Sequence, residues 1–479
     1  MSDLISASIN STESAVSAGS DLDLRALLEG CSRTDQIVAR LGKIILDLED
    51  VMRAQLNAIL ENAEMQALEA SWRGLKDVVE TAGEARDIKI KIIDVNWDEL
   101  SHELHGASDL KRTHLFQLIG RDELDTLGGE PFGLLFIDHA LSMSLESEFD
   151  ELFTAQLICS LAEKCLSPAV IGLADDFFGE TDASWMTDTR RLRSILNSAE
   201  YSGWQALRNV ANARFLGLVT PRVLLRGRYE NLDTIAGRFT QREEESDGLW
   251  GNGAICFLRT VIAEYRRVAW FGFLKYVSDQ PGQGAVLGPL PANGPKNCVQ
   301  RDVGRVRLSR WIGQFLSEEG FIPICESSKL AYLNAIPDAG LTRGEQGLYL
   351  LGNRSVRACN GNREVEVTSQ IQSVMIACRL MHFIKVKMRE LIGQTKTAEE
   401  CEHYLREWLE TYCSNVAQAS SEILARFPLK EAKIQITKVD SDDTRFQCQI
   451  YLKPQYQVDH VLGEIALSTD FENSIQGAA

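Results

Sequence analysis

The C-terminal end of the chain carries three short segments in which apolar and polar side chains alternate. They read AKIQITKV, RFQCQIYLKP and VLGEIALS. Alternation with a period of two is typical of strands that bury one face. Two or three strands alone form only a marginal sheet in water. The pattern therefore predicts a small antiparallel sheet whose open edges invite strands from other chains.

One long amphipathic helix is predicted from Gln36 to about Leu75. Its apolar positions recur at spacings of three and four, as on one face of a helix. They are Ile37, Leu41, Ile45, Leu48, Met52, Leu56 and Ile59. The sequence leaves open whether this face packs inside the chain or against another one. EASWRGLKDVV places Trp72 and Arg73 near the end of the helix, and a single tryptophan at such a position is usually structural.

The first 35 residues are predicted to form a mobile arm, because they are rich in serine and acidic side chains and poor in apolar ones. Within the arm, DLDLRALLEGC places Leu24, Leu27 and Leu28 on one face of a short amphipathic helix. A tethered helix of this kind docks into a partner's groove or packs on its own chain, and the pattern fits both.

The central part, residues 36–365, is predicted to be a mixed α/β domain. DIKIKIIDV, GGEPFGLLFID, PAVIGLA and RFLGLVTPRVLLRGRY read as strands, with helical patterns between them. Residues 366–479 are predicted to hold two helices followed by the small sheet. The first of these helices runs from about Thr368 to Leu391, and the second carries Cys401, Leu405 and Trp408 on one face. The fold class is therefore mixed α+β.

Charge and composition narrow the range of partners. The 479 residues are 44% hydrophobic and 25% charged, which is ordinary for a folded protein, and the net charge is -18. This charge opposes binding to nucleic acid or to anionic lipid, and the longest apolar runs are too short for membrane insertion. The N-terminus lacks the pattern of a signal peptide, and the 11 cysteines are scattered singly. We therefore expect a cytoplasmic protein with reduced cysteines.

The chemical motifs of the common enzyme classes do not occur. The chain has neither a phosphate-binding loop nor a nucleophile elbow, and its cysteines never form a C-x-x-C pair. His102 and His105 form the one close histidine pair, without the glutamate and third ligand of a zinc helix. We therefore predict no catalytic residue, no metal site and no cofactor.

Several blocks in order resemble the large subunit of the bacterial type VI secretion contractile sheath. They are LEASWRGLK, GGEPFG, GWQALRNVANARFLGLVTPRVLLRGRY, LWGNGA, SEEGFIPI, PLKEAKIQI and QIYLKPQYQVD, and the resemblance runs from about Arg40 to the C-terminus. It implies a structural protein that pairs with a small sheath subunit. The heterodimers would stack into a helical sheath around an inner tube on a baseplate and contract to propel the tube. An AAA+ ATPase would then dismantle the contracted sheath.

The resemblance also implies roles for individual residues. In an inter-subunit sheet, backbone groups at the edges would pair with other chains. The buried faces of this sheet would be formed by Ile434, Ile436, Phe446, Ile450 and Leu452. The ATPase would grip the helix bearing Leu24, Leu27 and Leu28. Trp72, Arg73, Arg214 and Trp250 would be structural anchors, with Trp72 packed where the long helix meets the central domain.

Some blocks depart from the family. NVANAR stands where the family usually has an acidic stretch, so Arg214 is kept and the carboxylates are lost. This leaves open whether the chain assembles with the small subunit alone or needs a second large-subunit paralogue. Two alternatives also remain at this point: a regulatory adaptor that binds a sheath or its ATPase, and a cytosolic enzyme with a site in the central α/β region.

Overall fold

A computed structural model shows two compact units. One comprises the described residues of Met1–Met65 and Tyr229–Ser246, and the other those of Gln66–Arg228 and Asp247–Ala479. The structure describes residues 33–126, 128–143, 148–179, 188–229, 239, 241–243, 248–272, 274–275, 285–286, 308, 310–327, 347–392, 398–414, 426–438, 445–454 and 465–472.

The first unit is built on helix α1 (Thr34–Leu60). The side chain of Asn57 donates to the carbonyl oxygen of Arg242 at 3.1 Å and also accepts from Gln241, which ties the helix to the second segment of its unit. No residue of α1 is buried. The helix therefore receives little hydrophobic stabilisation from the described residues of its own unit.

The prediction of a single helix from Gln36 to Leu75 was wrong in one respect. Helix α2 (Ala63–Ala82) follows α1 after a break at Glu61 and Asn62. The side-chain oxygen of Asn62 accepts from the backbone N–H of Met65 at 3.1 Å. Asparagine competes with helix propagation in this way, because its side chain caps a new helix. The spacing of apolar residues continues across the break, so the sequence pattern gives no sign of it.

The remaining elements belong to the second unit and alternate between helices and strands. In chain order they are α3 (Trp97–Gly106), β1 (Leu135–Leu141), α4 (Glu151–Cys165), β2 (Ala169–Leu173), α5 (Thr189–Leu196), α6 (Ser202–Asn209), β3 (Leu216–Thr220), β4 (Val223–Arg226), β5 (Leu249–Gly251), α7 (Ala254–Val268), β6 (Ala285–Val286), α8 (Arg310–Glu318), β7 (Ile322–Ser327), β8 (Gly347–Leu350), α9 (Arg363–Thr368), α10 (Ile371–Ile392), α11 (Ala398–Glu410), β9 (Leu429–Lys438), β10 (Arg445–Pro454) and β11 (Ile465–Glu472). A wider helical stretch, Gln117–Asp125, precedes β1. The predicted mixed α+β class is confirmed.

A six-stranded sheet lies at the centre of this unit. Its strand order is β1-β2-β3-β7-β8-β6; β1, β2, β3 and β7 run parallel, and β8 is antiparallel to both of its neighbours. Every residue of β2 and β3 is buried, as expected for parallel strands covered on both faces. In β2, Val170 contributes to one apolar cluster and Ile171 to the other. The alternation of side chains thus divides the interior into two cores.

Two segments predicted to be single strands differ from that prediction in the structure. RFLGLVTPRVLLRGRY forms two strands, since β3 lies in the large sheet while β4 pairs with β5 in a separate two-stranded sheet. DIKIKIIDV, which begins at Asp87, is not part of any sheet among the described residues. Its period of two is typical of a strand, but a strand also needs a neighbour that supplies hydrogen bonds.

The C-terminal sheet is confirmed. It has three antiparallel strands in the order β11-β10-β9. Its buried side chains join the same core as α7, α10 and α11. On α10 the apolar face predicted from the sequence is buried throughout, at Ile371, Val374, Met375, Cys378 and Met381.

Candidate assembly surfaces

The predicted inter-subunit residues of the C-terminal sheet turn their side chains toward their own chain. Ile434 and Ile436 on β9, and Ile450 and Leu452 on β10, are at most 7% exposed and belong to a core shared with α10 and α11. The backbone of Phe446 lies in β10, opposite Lys438 and Phe471, and its side chain is outside the described residues. These four side chains are therefore covered by the chain itself, and contacts of this sheet with another chain would use its backbone edges or its other face.

The two edges of the C-terminal sheet differ. On β9, the backbone N–H of Ile436 donates to the carboxylate of Glu402 at 3.2 Å, and Leu429 is hydrogen-bonded to Tyr412 and Ser414. This edge is partly occupied by α11 and the turn that follows it. On the other side, β11 pairs only with β10 within the described part of the chain. The edge of β11 is thus the more open of the two.

Helix α1 presents an extensive apolar surface. Eight large apolar side chains on it are exposed by between 36% and 64%, namely Val38, Ile45, Leu46, Leu48, Val51, Met52, Leu56 and Ile59. Isolated exposed apolar residues are common, whereas a contiguous apolar face of this kind marks an interaction surface.

Glu69 is the centre of a buried ion-pair cluster that holds α2. Its carboxylate accepts from Arg226 Nε at 2.9 Å, from Arg226 Nη2 at 3.4 Å and from Arg73 Nε at 2.7 Å. The side chains of Arg226 and Glu69 are 3% and 13% exposed. Burial by itself would raise the pKa of Glu69, but the hydrogen bonds from Arg226 and Arg73 outweigh it and lower the pKa. The cluster fastens α2 to strand β4.

The four predicted anchors occupy different environments. Arg73 belongs to the Glu69 cluster. Arg214 is mostly buried, lies 3.8 Å from Glu163 and stacks near the Phe215 ring. The carbonyl oxygen of Trp250, on β5, accepts from Arg222 at 2.7 Å. Trp72 departs from the expected internal packing, because 64% of its surface is exposed.

The predicted ATPase-binding residues Leu24, Leu27 and Leu28 lie outside the described residues, and their role stays a prediction.

Two family models match consecutive parts of the chain. The model described as VipB, EvpB/VC_A0108, tail sheath N-terminal domain, matches residues 42–335, and its tail sheath gpW/gp25-like counterpart matches residues 360–471. The chain belongs to the EvpB/VC_A0108 tail sheath family. The resemblance to a large type VI sheath subunit is thereby confirmed, as is a structural role in a sheath.

This tail sheath chain also matches individual proteins. It is 24% identical, over 446 residues, to the type VI secretion system sheath protein TssC1 of Pseudomonas aeruginosa; the match covers 89% of this chain and 84% of the relative. Among solved structures it is similar to a sheath tail protein from Desulfitobacterium hafniense, with 11% identity and a TM-score of 0.28, over 67% of this chain and 60% of that one.

No cluster of His, Cys, Asp and Glu suited to a metal ion occurs among the described residues, and no described helix is long and apolar enough to cross a membrane. Burial raises the pKa of both the Cys256 and Cys378 thiols to about 12, which makes them poor nucleophiles. A cleft of about 500 Å³ lies beside α2 and α7, and its charged lining includes Asp77, Arg259 and Arg266.

Sequence reasoning missed Glu69 and Arg226 as a pair. The four-residue spacing of Glu69 and Arg73 is a visible helical signal. The partnership with Arg226 spans 157 positions, and no periodic pattern in a single sequence reports a contact of that range.

Proposed function

We propose that this large sheath subunit acts in the cytoplasm as part of a contractile type VI secretion sheath. In this proposal it pairs with a small sheath subunit, and the heterodimers stack around an inner tube on a baseplate and contract to propel the tube. The N-terminal arm, residues 1–35, would be gripped by an AAA+ disassembly ATPase. Residues 36–365 would form the main sheath domain and residues 366–479 the strand-sharing domain. The two family models meet between residues 335 and 360, which supports a division in that region.

The observation that carries the pairing with a small subunit is the exposed face of α1. A helix of 27 residues with no buried residue gains little from its own unit, and helical stability in proteins comes mainly from packing an amphipathic face. Covering half of each of the eight exposed apolar side chains would contribute about 1 kcal/mol per side chain. A second amphipathic helix from the partner fits this surface.

Sharing of strands is supported by the open edge of β11. A strand edge that carries no partner is a site for pairing with another chain. In a repeating lattice, one such edge on each protomer would link every subunit to the next. The buried faces of Ile434, Ile436, Ile450 and Leu452 would keep the sheet rigid while its edge carries the link.

Electron microscopy of the chain, alone and co-expressed with the candidate small subunit, tests this function. We expect hollow tubes with a helical surface only when both proteins are present. A discrete soluble complex in place of tubes would contradict the lattice role and favour a regulatory adaptor. Deletion of residues 1–30 is expected to leave the tubes intact but resistant to the disassembly ATPase, and loss of assembly in this variant would contradict the assigned role of the arm.

A further inference from the structure

Helix α7 ends in a left-handed turn that helix α10 holds in place. Ala269 caps α7 with a φ of 60°, and its backbone N–H donates to the carbonyl oxygen of Tyr265 at 2.7 Å. Residues with a Cβ disfavour this conformation, so the turn persists only where its surroundings stabilise it. On α10, Arg379 Nη1 donates to the carbonyl oxygen of Ala269 at 3.3 Å. Gln372, also on α10, donates to the carbonyl oxygen of Phe271 at 3.0 Å.

The Arg379 guanidinium also lies over three aromatic rings. Its central carbon is 4.7 Å from the ring centroids of Tyr265 and Trp270, and 5.9 Å from that of Phe271. A guanidinium at such a distance is attracted by the quadrupole of the ring, and the attraction strengthens where water is excluded. Trp270 is 9% exposed. Arg379 therefore joins α10 to the end of α7 through a hydrogen bond and through ring contacts at the same time.

Four rings form an aromatic ladder that begins at this turn, those of Trp270, Tyr412, Trp408 and Phe383. The ring centroid of Tyr412 lies 5.2 Å from that of Trp270 and 5.1 Å from that of Trp408. Trp408 on α11 stacks on Phe383 of α10 with centroids 4.0 Å apart. The backbone carbonyl oxygen of Tyr412 accepts from the N–H of Leu429 at 3.2 Å, and Leu429 is the first residue of β9. The aromatic ladder therefore connects the end of α7 with the start of the C-terminal sheet.

These contacts cross between the two parts of the chain that the family models match. Residues 265–271 lie within the N-terminal match, residues 42–335, whereas Arg379, Tyr412 and Leu429 lie within the gpW/gp25-like match, residues 360–471. Ring pairs at these distances favour particular geometries, and close-packed interiors transmit strain because they are hard to compress. A displacement of β9 should therefore be felt at the end of α7.

We propose that Arg379 and the aromatic ladder form a joint that couples the C-terminal sheet to helix α7, so that the two sheath domains open and move as one body. In a contractile sheath the joint would carry load from the C-terminal sheet to the central sheet, since α7 and strand β3 contribute to the same core. This use of the joint rests on the proposed sharing of strands between protomers. The coupling itself belongs to the single chain, so its test needs no partner, and its failure would leave the proposed function untouched.

Native-state hydrogen exchange of the full-length chain tests the joint. Arg379→Met keeps an apolar side chain and removes the guanidinium. We expect the amides at the end of α7 and the amide of Leu429, at the far end of the ladder, to exchange about tenfold faster. The amides of β2, in the central sheet, should exchange as in the wild type. Arg121→Met, which removes a guanidinium that is 58% exposed and pairs with Asp122, is the matched control and should change none of these rates.

Two results of this measurement would overturn the proposal. Unchanged exchange at Leu429 would show that Arg379 makes only a local contact. An equal acceleration in β2 would show a general loss of stability in place of a coupling between the two domains. If Arg379→Met does not fold, Arg379→Lys takes its place with the same expectations, because lysine keeps the charge but lacks the planar guanidinium.

A second substitution tests whether the effect travels through the ladder. Tyr412→Leu removes the ring that links Trp270 to Trp408 and keeps an apolar side chain. In that background we expect Arg379→Met to accelerate exchange at Leu429 less than about twofold, because residues that act as one unit give non-additive effects. An acceleration of the same size in both backgrounds would mean that Arg379 and Tyr412 act independently, and would overturn the proposal.

Discussion

Removal of the Glu69 carboxylate should loosen helix α2 more than any change at its exposed ion pairs. Glu69→Ala leaves the Arg226 guanidinium, 3% exposed, without its bidentate partner. Breaking a buried pair in this way costs about 3–5 kcal/mol. We expect the lower end of that range, because Arg226 keeps a hydrogen bond to the Gly227 carbonyl oxygen at 3.1 Å. Arg73 is 35% exposed, so water replaces its contact at a cost of about 0–1 kcal/mol.

Native-state hydrogen exchange of the α2 amides measures this loss directly. A decrease of about 3 kcal/mol in the opening free energy corresponds to exchange that is roughly 150-fold faster. Glu80→Ala on the same helix is the control, because its pair with Lys76 spans 3.7 Å between side chains that are 48% and 60% exposed. We expect a change of at most about 0.5 kcal/mol there. Equal effects of the two substitutions would refute the conclusion that the Glu69 cluster holds α2.

The same cluster predicts the direction of a pH effect. The pKa of Glu69 is lowered in the folded chain, so its contribution to stability is fully present above the ordinary pKa of 4.5 and is lost as the pH falls through the folded-state pKa. The difference in opening free energy between the wild type and Glu69→Ala should therefore shrink in acid. A difference that stays constant below that pH would contradict this reading of the cluster.

Three further predictions concern packing, acid sensitivity and assembly. Gly74→Leu should cost about 3 kcal/mol in urea unfolding, because a Cβ there already comes within 2.3 Å of Ile255; Gly42→Leu, with nothing within 4 Å, should cost nothing. Burial lowers the pKa of His382 from 6.5 to about 4. The unfolding free energy should therefore fall by up to about 3 kcal/mol as the pH decreases between those values, and His382→Gln should remove this dependence. Ile45→Asp with Leu48→Asp should abolish co-purification with the small subunit while leaving the circular-dichroism spectrum unchanged; retained binding would contradict the role of α1.

Periodic patterns predicted the elements of this chain well where one rule dominated. The buried face of α10, from Ile371 to Met381, follows from spacings of three and four, and the three C-terminal strands follow from a spacing of two. The same rules failed at Asn62, because a side-chain cap can begin a new helix without disturbing the spacing of the apolar residues.

The local order of residues establishes which faces of each element are apolar, because side-chain spacing and backbone geometry are linked within an element. Which of those faces are covered depends on the folded chain. The tertiary structure buried Ile434 and Ile450 against the chain's own helices, left Trp72 and the face of α1 exposed, and left residues 89–95 outside every sheet that the described residues form. Covering a face depends on contacts between residues far apart in the chain, and the pairing of Glu69 with Arg226 shows that such contacts lie beyond any local period.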